Sequence, residues 1–281
     1  MIRHALAAAS MLLWLLPEAA ANDVTLEGEP VQGGIVSGQA PPGSAVVFDG
    51  RPLRVTADGR FLFGFGRDAE GTATLEVRRP DGRIERRTLP IVPRRFDVQR
   101  IDGLPPAKVT PRSEEDLRRI REDGAAITSA RRLDSATGGA FEPWIWPVIG
   151  PVTGVYGSQR ILNGQPRSPH KGVDVAAPRG TTVAAAAAGN VSLAAADMYF
   201  TGHTVMIDHG HGLHSIYAHL DRLHVAPGDE IGQGAPVGTV GSTGRATGPH
   251  LHFGAYWFQE AVDPLLLTGP MPASADGEQK S

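Results

Sequence analysis

Ten histidines occur in the chain, and nine of them fall between positions 170 and 252. Two short runs within that span collect residue types that bind metals. His170 and Asp174 stand four apart in HKGVD, and His250 and His252 stand two apart in PHLHF. Side chains two apart leave the same face of a strand, so both imidazoles of PHLHF would face one cavity while Leu251 and Phe253 turn to a core. Three of these four groups, with a water, compose an open zinc site: imidazole nitrogen and carboxylate oxygen suit zinc, and a catalytic site keeps one position for water. Water held there ionises near pH 7 rather than near ~16. His219, near the end of IYAHL, supplies a further imidazole. Gly172 offers a bend between His170 and Asp174. HxH and HxxxD are each weak signals; weight comes from finding both beside a third histidine in one β-rich stretch. His203, His209, His211, His214 and His224 read as surface or internally satisfied groups. No Glu follows any histidine, so the HExxH zinc-protease signature is absent.

The elements that must position these groups are mostly strands. From Val183 onward, short apolar runs (HTVMIDHG, LHSIYAHL, APVGTVGS) are punctuated by Gly and Pro without helical periodicity, which predicts an all-β domain of short strands and tight turns. Residues 22–93 read as a small β-sandwich or barrel-like domain. Asp-Gly pairs at Asp49-Gly50, Asp58-Gly59 and Asp81-Gly82 suit hairpin turns, and TLEV and RIERRTL alternate apolar with polar residues. Nothing in this domain points to chemistry; it reads as a wall-binding module or as a spacer. Residues 94–140 form a linker with one helix at 113–133, capped by Ser113 and opened by Glu114, Glu115 and Asp116, acids that favour the positive end of a helix dipole. Leu117, Ile120, Ile127 and Leu133 give that helix an apolar stripe. The domain with the histidines then spans 141–268, and 269–281 reads as a flexible tail. Trp144 and Trp146 could line a groove, with core packing as the competing reading.

Composition narrows the setting. The 281 residues are 41% hydrophobic and 20% charged, with a net charge of −3, which argues against a nucleic-acid partner. Residues 1–21 have the form of a signal peptide: Arg3 and His4, the apolar run ALAAASMLLWLL, then Ala19-Ala20-Ala21. That run is shorter than the ~20 apolar residues a membrane span needs, and an uncleaved anchor or a buried helix is the alternative. The expectation is an exported protein, periplasmic or secreted, with no membrane span after cleavage. The chain has no cysteine, so neither a disulfide nor a lipidated cysteine is available, and any metal must use His and carboxylate ligands. The run VAPGDEIGQGAPVGTVGSTG has the rhythm of lipoyl and biotinyl carrier barrels. The lysines are Lys108, Lys171 and Lys280, however, and none lies in that run to hold a cofactor.

HKGVDVAAPRGTTV, HTVMIDHGHGLHSIYAHL and VGSTGRATGPHLHF, in that order, resemble the three motif blocks of the M23 metallopeptidases, the lysostaphin and LytM-type peptidoglycan endopeptidases. The resemblance covers about residues 150–265. It implies a LytM-like peptidase domain with one Zn2+ per chain bound by His170, Asp174 and His252. His219 and His250 would be the pair that deprotonates the water or stabilises the oxyanion. The implied substrate is the peptide stems of peptidoglycan; the loop GSQRILNGQPRSP with Asn163 would wall the groove, and Tyr217 and Tyr256 would contact substrate or pack. A non-catalytic wall-binding protein, or an activator of another hydrolase, is the alternative function. The N-terminal domain and the helix are expected to restrict access to the groove.

These roles predict different losses. His219→Ala should keep zinc and lose most turnover, whereas His170→Ala or Asp174→Ala should lose the metal itself. Metal content measured beside hydrolysis separates the two classes; full turnover in His219→Ala would remove its assigned role.

Overall fold

The structure, a computed structural model, describes residues 23–272. The signal peptide read at residues 1–21 and residues 273–281 of the tail lie outside the described residues.

The N-terminal third packs two small antiparallel sheets. One runs in the order Thr25–Glu27, Ile35–Gln39, Arg60–Gly64; the other runs Arg51–Leu53, Ala45–Phe48, Thr72–Arg78, Ile84–Pro90. Alternation builds the core: Ala73, Leu75 and Val77 are buried while Thr72, Thr74 and Arg78 are exposed. Phe48 of one sheet stacks on Phe63 of the other at 4.3 Å. Asp49-Gly50 closes a two-residue hairpin with both φ angles positive, 42° and 78°. Asp81-Gly82 lies in the longer turn between Thr72–Arg78 and Ile84–Pro90, where Gly82 has φ 85° and Asp81 is not among the positive-φ residues. Asp58-Gly59 does something else: it carries the chain from Arg51–Leu53 across to Arg60–Gly64 in the other sheet.

The linker is more structured than its composition implies. Val98–Ile101 is a strand that pairs in parallel with Gln159–Leu162, and Pro106–Val109 forms one helical turn. The long helix runs Glu114–Ala130, ending three residues before the expected 133, and Ser113 caps it by accepting from the Asp116 amide at 3.1 Å. Its apolar stripe is only partly used. Ile127 and Ala130 pack with Met206, Ile216 and Tyr256, while Leu117 and Leu133 stay exposed.

The C-terminal half is built on one ten-stranded sheet. Its main path runs Glu230–Ile231, Gly189–Met198, Gly202–Asp208, Leu213–Leu223, His250–Trp257, Val173–Ala176, Val152–Gly154. The strands are not all short. Gly189–Met198 has 10 residues and Leu213–Leu223 has 11. Bulges interrupt their pairing, which is why the sequence pattern reads as a series of short pieces. Val173, Val175, Ile207, Tyr217, Leu251 and Phe253 are fully buried beneath the sheet. Trp144 and Trp146 belong to this core: Trp144 lies 4.6 Å from His209, and the Trp146 indole donates to the Gly269 carbonyl at 3.0 Å. The Gly150 amide meets Met271 Sδ at 3.3 Å, so residues 269–271, expected to be flexible, are packed against the domain.

The N-terminal domain is fastened to this sheet. Trp257, at the end of its strand, sits 5.8 Å from Phe48 and receives Arg51 over its ring at 5.7 Å. Arg94 pairs with buried Asp263 at 2.7 Å, and Arg67 Nε donates to the Gly157 carbonyl at 2.7 Å. Aromatic residues from both domains thereby share one continuous core. Trp257→Ala should cost about 3–5 kcal/mol, the usual price of a large aromatic cavity. Denaturant unfolding would read this directly; an unchanged midpoint would mean the two domains fold without this contact.

Candidate metal centre and active site

Strand register brings the metal-binding residue types together. Val173–Ala176 pairs antiparallel with His250–Trp257, with Asp174 opposite His252 and Ala176 opposite His250. Asp174 Oδ1 lies 2.9 Å from His252 Nδ1 and 3.0 Å from His170 Nε2, and the two nitrogens are 3.0 Å apart. Leu251 and Phe253 are fully buried on the opposite face, as alternation requires. Two glycines make room. A Cβ at Gly154 would stand 2.6 Å from Asp174 Oδ2, and one at Gly172 would collide with the Phe253 carbonyl. Gly172 therefore serves by its lack of a side chain, and its φ is not among the positive ones.

These three atoms fit a metal ion. His170 Nδ1 lies 3.1 Å from the Val155 carbonyl, which fixes its proton there and leaves Nε2 with a lone pair. A tetrahedral ion with bonds of ~2.0–2.1 Å separates its ligands by about 3.3 Å, so a few tenths of an ångström of spreading would seat one. His170, Asp174 and His252 form the group of metal-binding side chains found among the described residues. Burial opposes a charge on Asp174, but His170 and His252 outweigh it and hold the carboxyl well below the usual range. Burial also pushes the His170 imidazole down to about 4, so it is neutral, as a ligand must be.

The second oxygen of Asp174 belongs to a residue that motif reading did not single out. Arg160 donates to Asp174 Oδ2 at 2.6 Å, leaving Oδ1 to the histidines. Arg160 Nε is in turn 3.3 Å from Gln99 Oε1, and Gln99 Nε2 donates to the Thr153 carbonyl at 3.1 Å. Gln99 lies on the linker strand, so the linker reaches the site through one intermediary. The available signal was an arginine inside GSQRILNGQPRSP, just ahead of the first ligand. That stretch is a hairpin, Gln159–Leu162 with Gln165–Pro166, rather than a plain loop. Asn163 at its tip has φ 47° and bonds both polar atoms of the Leu104 backbone.

The two further imidazoles lie beside the triangle. His219 has φ 62° and sits where the pairing of Leu213–Leu223 shifts register, a bulge that re-aims its side chain. Its ring lies 4.8 Å from that of His250 and 6.1 Å from that of His252. His219 Nδ1 is 2.8 Å from the Thr243 carbonyl, and His250 Nδ1 is 2.9 Å from the Gly248 carbonyl. Each carbonyl holds a proton on Nδ1, so both rings keep an Nε2 lone pair. His250 Nε2 stands 4.0 Å from Asp174 Oδ1. Burial, then His250 and His252, pushes His219 down to about 3. Of the five histidines set aside in the sequence, His209, His211 and His214 are buried away from this cluster, with His209 bridging the Ala188 carbonyl and Ser215. Tyr217 is a packing residue whose hydroxyl accepts from the Ala186 amide at 2.8 Å, whereas Tyr256 lines a cavity beside His170 and His252.

A length of linker crosses this site. Lys108 Nζ donates to the Tyr199 carbonyl at 2.8 Å, and the Tyr199 hydroxyl donates to the Ala107 carbonyl at 2.9 Å. From the other rim, Arg167 Nε donates to the Val109 carbonyl at 3.1 Å.

Known proteins share these features. The description of peptidase family M23 matches residues 168–264. A solved Pseudomonas aeruginosa structure assigned to peptidase M23 is 31% identical, with a TM-score of 0.66 over 86% of this chain and 96% of that one. DD-carboxypeptidase/endopeptidase Mpg of Neisseria meningitidis is 43% identical over 103 residues, 37% of this chain and 24% of that protein. Peptidoglycan DD-endopeptidase ShyC of Vibrio cholerae is 43% identical over 111 residues, 40% of this chain and 25% of that protein. The match thus spans about a quarter of the length of these two relatives. With the three motif blocks folded into one His-Asp-His cluster and nearly the whole length of the Pseudomonas aeruginosa structure matched, this chain belongs to peptidase family M23.

Proposed function

We infer that this protein is an exported zinc endopeptidase that hydrolyses peptide cross-links of peptidoglycan. The observation that carries the reading is one cluster holding three converging donor atoms with two further imidazoles beside them. The printed names of relatives such as the Vibrio cholerae DD-endopeptidase support the substrate. The leader-like residues 1–21 support export, and among the described residues no helix is long and apolar enough to cross a membrane.

His170, Asp174 and His252 would hold the zinc ion. Zinc there supplies Lewis-acid polarisation of the scissile carbonyl and acidifies the attacking water. The chain's own groups do the rest. His219 and His250 both begin as acceptors, because each keeps its proton on Nδ1 toward a carbonyl. One of them takes the proton of the attacking water at Nε2. Once protonated, that ring donates to the developing oxyanion or to the departing amine. Arg160 keeps Asp174 from rotating by holding its second oxygen.

The linker segment 102–110 is tied to both rims of the groove, and it limits access for a cross-linked polymer. Deleting the N-terminal half would be a poor test, since it strips Trp257 of its cover and removes the strand that pairs with Gln159–Leu162. Loosening one rim is cleaner. Lys108→Ala combined with Tyr199→Phe should raise cleavage of intact sacculi severalfold and change cleavage of a short soluble peptide little. Equal rates on sacculi would show that the segment is no barrier.

Digestion of purified sacculi, with product chromatography, tests the activity itself. Cross-linked dimers should disappear, a chelator should block this, and added zinc should restore it. Intact dimers with zinc confirmed bound would favour the wall-binding alternative.

A further inference from the structure

The groove is cationic out of proportion to the chain. The whole protein carries a net charge of −3, yet the cavity of about 540 Å³ beneath the end of helix Glu114–Ala130 is lined by Arg131, Arg160, Arg167, Lys171 and Arg245 and by no Asp or Glu. His170, His219 and His252 line the same cavity. A second cavity of about 350 Å³, on the side of His250, is lined by Arg160 and Arg245 again, with Asp174 as its one acid. Arg245 therefore borders both spaces that flank the metal-binding residues.

The arginines differ in what they already hold. Arg160 is committed to Asp174. Arg167 is saturated by neutral acceptors, including the carbonyls of Val109 and Pro166 and the Thr110 hydroxyl. Arg245 is underused. It stacks over Phe200 at 4.4 Å and makes one long bond of 3.4 Å to the Lys108 carbonyl. Among the described residues it has no carboxylate partner. Burial, with Arg160 and Arg167 nearby, pushes its guanidinium down to about 10. A half-buried cation without a counter-ion is costly, and the cost is recovered when an anion arrives. The planar fork of a guanidinium matches a carboxylate with two parallel bonds, and the Phe200 ring lies against it.

We propose that Arg245 is the receptor for a free carboxylate of the substrate peptide beside the scissile bond, and so selects acidic cross-links over neutral ones. This rests on the peptidase reading above. A bond from D-alanine to diaminopimelate satisfies the requirement, because the carbon that bears the scissile nitrogen also bears a free carboxylate. The interior of a glycine bridge has none. The surrounding arginine field draws such a peptide in, and Arg245 sets its register against His219 and His250.

The test uses two cross-linked stem peptides that differ only in that group, one with the diaminopimelate carboxyl free and one with it amidated. Binding is measured by calorimetry on the zinc-loaded full chain carrying His219→Ala to suppress turnover; hydrolysis is measured on the otherwise unchanged protein. The acid should bind at least tenfold more tightly than the amide. Arg245→Gln should erase that preference while zinc affinity stays at its original value, and Arg245→Lys should restore part of it. A preference that survives Arg245→Gln, or no preference at all, overturns the proposal. Tight, Arg245-dependent binding of the acid without cleavage of either peptide would sustain the receptor and remove the peptidase reading instead. Cleavage of both peptides with no preference would do the reverse.

Discussion

Asp174 and His252 face each other across a single antiparallel strand pair, and the site depends on that register holding. Side chains alternate with period two, so a slip of one residue would turn Leu251 or Phe253 toward Asp174 and bury the imidazoles in the core. The pairing is held from both faces. Leu251, Phe253, Val173 and Val175 lock the inner side by complete burial. On the outer side, Gly154 lets the neighbouring strand pass within reach of the carboxylate. Hydrophobic packing, which has no direct part in chemistry, thus places the His170, Asp174 and His252 donor atoms about 3 Å apart.

Holding a carboxylate in such a place has an electrostatic cost that the surroundings offset. Burial alone would raise the proton affinity of the Asp174 carboxyl. Two imidazoles on one oxygen and Arg160 on the other reverse that. The carbonyls of Val155, Thr243 and Gly248 complete the arrangement by choosing the tautomer of three histidines, so every lone pair that chemistry needs is aimed away from the backbone. The backbone contributes here as much as the side chains, through oxygen atoms that any residue could have supplied.

The linker joins the two halves of the molecule in a way that its composition conceals. Its strand Val98–Ile101 supplies Gln99 to Arg160, its helical turn bonds to Tyr199 and Arg167, and its long helix lines the cavity beside Tyr256. Together with the shared core around Trp257, this makes the N-terminal domain a fixed neighbour of the site rather than a loosely tethered module.

What the chain itself determined is the clustering of metal-binding residue types and the class of fold. HKGVD, IYAHL and PHLHF carry all five residues proposed for the site, and the period-two alternation around His250 and His252 already assigns their face. Ser113 and the acids after it announced a helix where one stands. The tertiary structure alone decided three further matters. Gln99 came to back Arg160, the partner of Asp174, because two distant strands pair in parallel, an arrangement that leaves no local pattern. His219 points into the site because a bulge, invisible to periodicity, rotates it there. Trp144 and Tyr217 went to the core, and Tyr256 to a cavity wall, because an aromatic side chain has the same composition in either place and only the neighbours that fold against it settle which. Local spacing encodes which face a residue takes on its own strand; which other strand arrives opposite is a long-range contact, and that is where this site was made.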